Sequence, residues 1–168
     1  MKTLKTLSIL FLSVLIISCS KKDDGDDQQT APEPEFRVTI IGGSFGNNYL
    51  SELGNYTTDS SNGLTIALTD SNTNVIRIFM NETGGFASVI KEIGNVDDNG
   101  FVTNVVVRDQ NAMITYTSTE GTITILENIA NPENSEGRLI SGTLNVTAST
   151  NTGETIVLGG PFENIAYN

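Results

Sequence analysis

Any chemistry in this chain has to come from carboxylates, hydroxyls, amides, a few Lys and Arg side chains and one thiol. Its 168 residues hold a single Cys, no His and no Trp. The missing His removes Ser-His-Asp and Cys-His catalysis and every His-ligated zinc or haem site. A lone Cys cannot build an intramolecular disulfide framework. Asp109, Glu120 and Glu127 are the carboxylates that a two-acid hydrolase could draw on, if strands bring them to the required separation. Asp70-Ser71-Asn72-Thr73-Asn74 opens like a calcium loop, but Val75 stands where the loop needs Gly and Asn81 where it needs Glu. Asp97-Asp98-Asn99-Gly100 reads as a turn before it reads as an ion site. Gly42-Gly43-Ser44-Phe45-Gly46 lacks the Lys-Ser/Thr of a phosphate loop and reads as a bulge or turn. Tyr49 and Tyr56, in a polar stretch, are the best-placed aromatic platforms for a sugar. No catalytic residue, metal or cofactor is expected.

The thiol has a context of its own. Lys2 and Lys5 precede an uncharged, mostly apolar run from Thr6 to Ser18. That run is too short for a membrane span of about 20 residues and fits a signal h-region. It ends in Ile16-Ile17-Ser18-Cys19, which resembles a bacterial lipobox: aliphatic, small, then the obligatory Cys. The resemblance implies that residues 1–18 are removed and that Cys19 carries the acyl chains of a membrane anchor. Next comes Ser20-Lys21-Lys22-Asp23-Asp24-Gly25-Asp26-Asp27. It resembles the Lys-then-acidic export signal of Bacteroidota surface lipoproteins, carried here by Lys21, Lys22, Asp23, Asp24, Asp26 and Asp27. Display on the cell surface is the expectation, with a periplasm-facing leaflet of the outer membrane as the alternative.

Residues 19–35 form an acidic, Pro-containing tether. It reaches roughly 55–60 Å if fully extended and averages roughly 20–25 Å as a coil. The chain carries 20 Asp+Glu against 9 Lys+Arg, a net charge of −11. That balance argues against nucleic acid, whose phosphates call for Lys and Arg. The partners expected are a membrane, through the anchor, and a glycan or an envelope protein.

Residues 36–168 must position whatever site exists, and they read as one domain of antiparallel strands. Period-two alternation recurs at Phe36-Val38-Ile40, Leu64-Ile66-Leu68, Ile114-Tyr116, Ile123-Ile125, Ile140-Gly142-Leu144-Val146 and Ile156-Leu158. Val75 to Met80, apolar except at Arg77, reads as a central strand. Asn62-Gly63, Asn99-Gly100, Thr119-Glu120-Gly121, Asn151-Thr152-Gly153 and Gly159-Gly160-Pro161 read as turns. Asn131 to Gly137 reads as a long polar loop. Such spacing predicts an all-β fold, a single antiparallel β-sandwich or a small barrel. One stretch departs from the pattern. Phe86, Val89, Ile90 and Ile93 sit at i, i+3, i+4 and i+7, with Thr83 as a possible cap and Gly94 suited to the end. This predicts a short helix over Gly85–Ile93 closing one end of the core, with an irregular strand as the alternative.

The second half also resembles a known family. Tyr116-Thr117-Ser118-Thr119-Glu120-Gly121-Thr122-Ile123-Thr124-Ile125 is followed by Ile140-Ser141-Gly142-Thr143-Leu144-Asn145-Val146. Gly153-Glu154-Thr155-Ile156 and Gly160-Pro161-Phe162-Glu163-Asn164-Ile165-Ala166-Tyr167 complete the series. This order resembles a family of small Bacteroidota lipoproteins with a β-rich domain of unassigned function. The family often has aromatics where Leu144 and Val146 stand. The resemblance implies a β-sandwich-like fold and an envelope location, and it brings no catalytic residues. The resulting expectation is a lipid-anchored, non-catalytic β-domain that binds a glycan or an envelope or extracellular partner. A structural component of an outer-membrane assembly is the alternative, and a carboxylate hydrolase the distant third.

Overall fold

The computed structural model describes residues 30–168. The lipobox Ile16-Ile17-Ser18-Cys19 and the charged run Lys21 to Asp27 lie outside the described residues. Ten strands follow in order: β1 (Glu35–Gly42), β2 (Gly46–Glu52), β3 (Asn55–Asp59), β4 (Leu64–Thr69), β5 (Val75–Met80), β6 (Val89–Glu92), β7 (Asn104–Asp109), β8 (Ile114–Asn131), β9 (Asn134–Ser149) and β10 (Thr155–Tyr167). All pair antiparallel, in the order β2-β1-β10-β9-β8-β7-β5-β4-β3, and β6 joins the free flank of β8. The fold is all-β and barrel-like: one sheet curled into a half-barrel rather than two stacked sheets.

Alternation decides which face turns inward. Phe36, Val38 and Ile40 on β1 are buried, as are Leu64, Ile66 and Leu68 on β4 and Ile76, Ile78 and Met80 on β5. Ile123, Ile125, Leu144, Val146, Ile156, Leu158 and Phe162 complete the core from the long strands. Each such side chain contributes about 1.5–3 kcal/mol relative to exposure. β5 is central, with β4 and β7 on its flanks.

The two ends of the sheet order are joined covalently, since only Leu53-Gly54 separates β2 from β3. Side chains then hold the curl. Thr58 Oγ1 donates to the Ala166 carbonyl (3.1 Å), and the Ala166 N–H donates to the Tyr56 hydroxyl (3.3 Å). Two residues of the expected tether also touch the domain. The Ala31 N–H donates to Glu133 (3.1 Å), and Asn164 Nδ2 donates to the Glu33 carbonyl (3.2 Å).

Three expectations are corrected. Gly85–Ile93 is not a helix: turns lead into β6, which pairs Val89 with Ile125 and Lys91 with Ile123. Val89, Lys91 and Ile93 point inward with period two, while Ile90 is 62 % exposed. A lysine in an inward position hid the alternation. Phe86, Val89 and Ile93 nevertheless pack on the core, as the plugging role required. Second, Gly121 and Gly160 are not turns but lie inside β8 and β10. A methyl at Gly121 would strike the Asn145 carbonyl oxygen, and one at Gly160 the Arg37 carbonyl oxygen. Glycine there lets strands bend and approach closely as the sheet curls. Third, the loop of Asn131–Gly137 shrinks to Pro132-Glu133, because β8 and β9 pair as far as Asn131 opposite Asn134.

Candidate functional site

The best-built polar cluster lies at one end of the half-barrel, where the Gly43–Phe45 turn meets the β4–β5, β7–β8 and β9–β10 loops. Tyr49 on β2 donates its hydroxyl hydrogen to Asp70. The same hydroxyl accepts from Asn72 Nδ2 (3.0 Å) and Asn74 Nδ2 (2.7 Å). Asp70, only 7 % exposed, turns Oδ1 onto the N–H groups of Asn72 and Asn74, both at 2.9 Å. Asn74 Oδ1 accepts from the Gln110 N–H (3.1 Å), which ties in the next loop. Phe45 packs beside Tyr49 and Tyr116, with ring centroids 5.0 and 6.0 Å away. The buried Tyr116 accepts from the Ser44 N–H (2.9 Å) and donates to Glu154.

Burial pushes both phenols above their usual pKa, and the adjacent Asp70 and Glu154 carboxylates push further in the same direction. Both tyrosines are therefore neutral donors across the physiological range. Burial also pulls Asp109 upward, but hydrogen bonds from the Ala112 and Asn111 N–H groups and from Ser44, with Arg108 nearby, outweigh it and hold that carboxyl below its usual value. The carboxylates of this cluster thus act on their own loops and tyrosines.

The other sequence candidates fall in separate places. Tyr56 is on β3, half-buried like Tyr49, and its hydroxyl serves the seam with β10 rather than the loop-end cluster. The Asp70–Asn74 loop bonds inward on its own N–H groups. Asp97 Oδ1 accepts from the Asn99 and Phe101 N–H groups, both at 2.9 Å. Its Oδ2 is the one buried side-chain nitrogen or oxygen without a partner among the described residues. Among those residues no three Asp, Glu, Cys or His groups converge on a metal position. Glu120 and Glu127 are seven positions apart on β8, roughly 23 Å at strand rise. Asp109 pairs with Ile114, earlier on the same strand. Glu120 and Glu127 are strung along β8 and Asp109 sits beside its start on β7, so the three do not flank one bond.

Surface concavities occur on the outward face of the long strands. A cleft of about 500 Å³ at the loop end is lined by Thr115, Thr117, Ser149, Thr150, Thr152 and Glu154, with Met113 at its rim. A groove of about 350 Å³ farther along lies over Ser141 and Thr143. Between them the outward positions of β9 are Thr147 and Asn145. The alternation of these strands is legible in the sequence, but the concavities are not, nor is the contact of Tyr116 with Ser44 and Glu154, which lie 72 and 38 positions from it. Comparison with protein-family models, curated proteins and solved structures found no match.

Proposed function

We propose that this chain is a lipoprotein anchored at the outer membrane through Cys19 and displayed on the cell surface. Its β-domain binds a glycan or an envelope or extracellular partner and catalyses no reaction. The anchor rests on Ile16-Ile17-Ser18-Cys19, and the surface location on Lys21 to Asp27. The observation that carries the binding role is the outward face of β8, β9 and β10. It holds two open concavities lined by hydroxyls and carboxylates, the groups that hydrogen-bond a polyhydroxy ligand or a polar protein surface.

A second reading, a structural component of an outer-membrane assembly, is favoured by a different patch. Ile41, Leu50 and Val157 are 45–46 % exposed. Ile41 pairs with Val157, and Leu50 lies on the edge strand β2. An apolar patch beside a strand edge suits a protein neighbour.

Protease shaving of intact cells, with a periplasmic protein as leakage control, tests the location. Cleavage of the domain while the control survives is the expected result. Protection until the outer membrane is opened would sink surface display and move the search to periplasmic partners. Gentle solubilisation then separates the two roles: a clean monomer counts against the assembly component, and a stable complex counts for it.

A further inference from the structure

The groove over Ser141 has an origin that curling alone does not require. β8 pairs Ile125 with Gly142 and then Glu127 with Ser141, so Leu126 is an extra residue. β10 pairs Phe162 with Gly142 and then Ile165 with Ile140, so one extra residue is accommodated there too. Both neighbours of β9 therefore bulge at the same level, one on each side of Ser141. Bulges interrupt a ladder and re-aim side chains, and they concentrate next to functional sites. Here they raise Glu127 and Glu163 on opposite walls of the groove. Asn164 is held at φ 54, a left-handed conformation, with its N–H donating to Ser141 Oγ at 3.0 Å. Gly142 lies beneath, where a methyl would strike the Thr124 carbonyl oxygen and the Phe162 ring.

The chemistry of the walls is mixed. Leu126 is 55 % exposed beside Glu127. Pro161 adds a second aliphatic surface, and Ser141 and Thr143 add hydroxyls. Neither glutamate is in an ion pair: among the described residues the ion pairs are those of Arg37 with Glu35 and Glu52. Two unpaired carboxylates ask for hydrogen-bond donors, and the chain's net charge of −11 repels a polyanion. Hydroxyls set between aliphatic surfaces suit a pyranose ring, which carries O–H groups at its edge and C–H groups on its faces. The volume is at the small end of ligand sites, about 300–1,000 Å³.

Resting on the glycan-binding reading above, we infer that the double-bulge groove is a subsite for a short neutral saccharide, with Glu127 and Glu163 accepting hydrogen bonds from its hydroxyls. The test is a titration of the isotope-labelled full chain, in detergent, followed by amide chemical shifts. The probes are maltotetraose, cellotetraose and chitotetraose, with spermidine as a cationic comparison. At least one tetrasaccharide should move the amides of Glu127, Ser141, Thr143 and Asn164 with saturation in the millimolar range or tighter. Glu127→Gln and Glu163→Gln, both exposed and conservative, should each weaken that binding by about tenfold while the remaining spectrum stays in place. Shifts confined to the loop-end cleft would overturn the groove and leave the glycan reading standing. Shifts at the groove with spermidine alone would make it an amine site and overturn the saccharide assignment. No shift with any tetrasaccharide would overturn the groove and the glycan reading together, leaving a protein partner.

Discussion

The hydroxyl of Tyr49 on β2 is bonded to the carboxylate of Asp70, which follows β4 at the other end of the strand order. No strand ladder joins these two regions, so this side-chain bond and its amide partners hold the curl at the loop end. Tyr49→Phe removes the donor to a carboxylate that is 7 % exposed and the acceptor of Asn72 and Asn74. Leaving buried polar groups short of a partner costs about 1–3 kcal/mol. For a domain of this size that corresponds to a melting temperature lower by roughly 3–10 °C. Tyr56→Phe loses one 3.3 Å contact from the Ala166 N–H and should cost less. Thermal unfolding of the two variants decides the matter. A Tyr49→Phe protein that melts like the parent would show that the loop end is held by something else.

The glycines inside strands make a sharper contrast. Gly160 has φ 151, and any Cβ there would meet the Arg37 carbonyl oxygen, while Gly121 has φ 119 and the Asn145 carbonyl beside it. Backbone cannot step aside as a flexible side chain can. Gly121→Ala and Gly160→Ala should each cost more than about 3 kcal/mol, and either could prevent folding. Gly153 in the β9–β10 turn has φ 89 with open space around it. Gly153→Ala should cost only about 1 kcal/mol. Urea unfolding and soluble yield measure all three. Equal costs would mean that the strands do not approach as closely as described.

Asp109 predicts an acid limb. Its folded pKa lies below the usual carboxylate value of 3.8, because hydrogen bonds from its loop and from Ser44 outweigh the upward pull of burial. A carboxyl with a depressed folded pKa contributes stability that is complete above its unfolded pKa. That contribution fades as pH falls from 3.8 through the folded value. Asp109→Asn should be less stable than the parent at neutral pH, and its curve should lack that acid step. Paired denaturant titrations from neutral to strongly acidic pH supply the comparison. Curves that run parallel would remove Asp109 as the source.

Much of the fold was legible because inward positions on β1, β4, β5 and β9 are apolar at period two with little interruption. The pattern is ambiguous where one residue type serves two purposes. Glycine marks both tight turns and bulges, so Gly121 and Gly160 looked like chain reversals although they bend continuous strands. Lys91 occupies an inward position, and its charge broke the alternation of Val89, Lys91 and Ile93 into an apparent helical face. The site was less legible still. Tyr49 and Asp70 are 21 positions apart and meet only because the sheet curls, and Tyr116 and Glu154 are 38 apart and meet through the register of β8 and β9. Glu127 and Glu163 acquire their relation through two bulges, which alternation cannot reveal.

Lys91 itself carries the last prediction. It is 3 % exposed, and its Nζ donates to the carbonyls of Asn81 (2.8 Å) and Thr83 (2.5 Å). The ammonium also lies 4.8 Å from the centroid of the Phe86 ring. Burial lowers its pKa below the usual 10.5, and the charge of Glu82 offsets this only in part. Between the lowered folded pKa and 10.5 the unfolded chain binds more protons than the folded one, so stability from this group rises with pH across that window. Tyr49 and Tyr116 work the other way. Their raised folded pKa values make a contribution that is present below pH 10 and lost as pH climbs through those values. Both tyrosines remain in Lys91→Met, so the difference between parent and variant isolates the lysine. The parent should gain stability relative to Lys91→Met as pH rises from 7 toward 10.5, while at neutral pH the variant sheds the cost of burying a charge but leaves two carbonyls without their donor. Urea unfolding of both proteins at stepped pH measures this gap. A gap that stays constant across the window would mean that Lys91 titrates like an exposed lysine, and that the segment closing this end of the barrel opens to water.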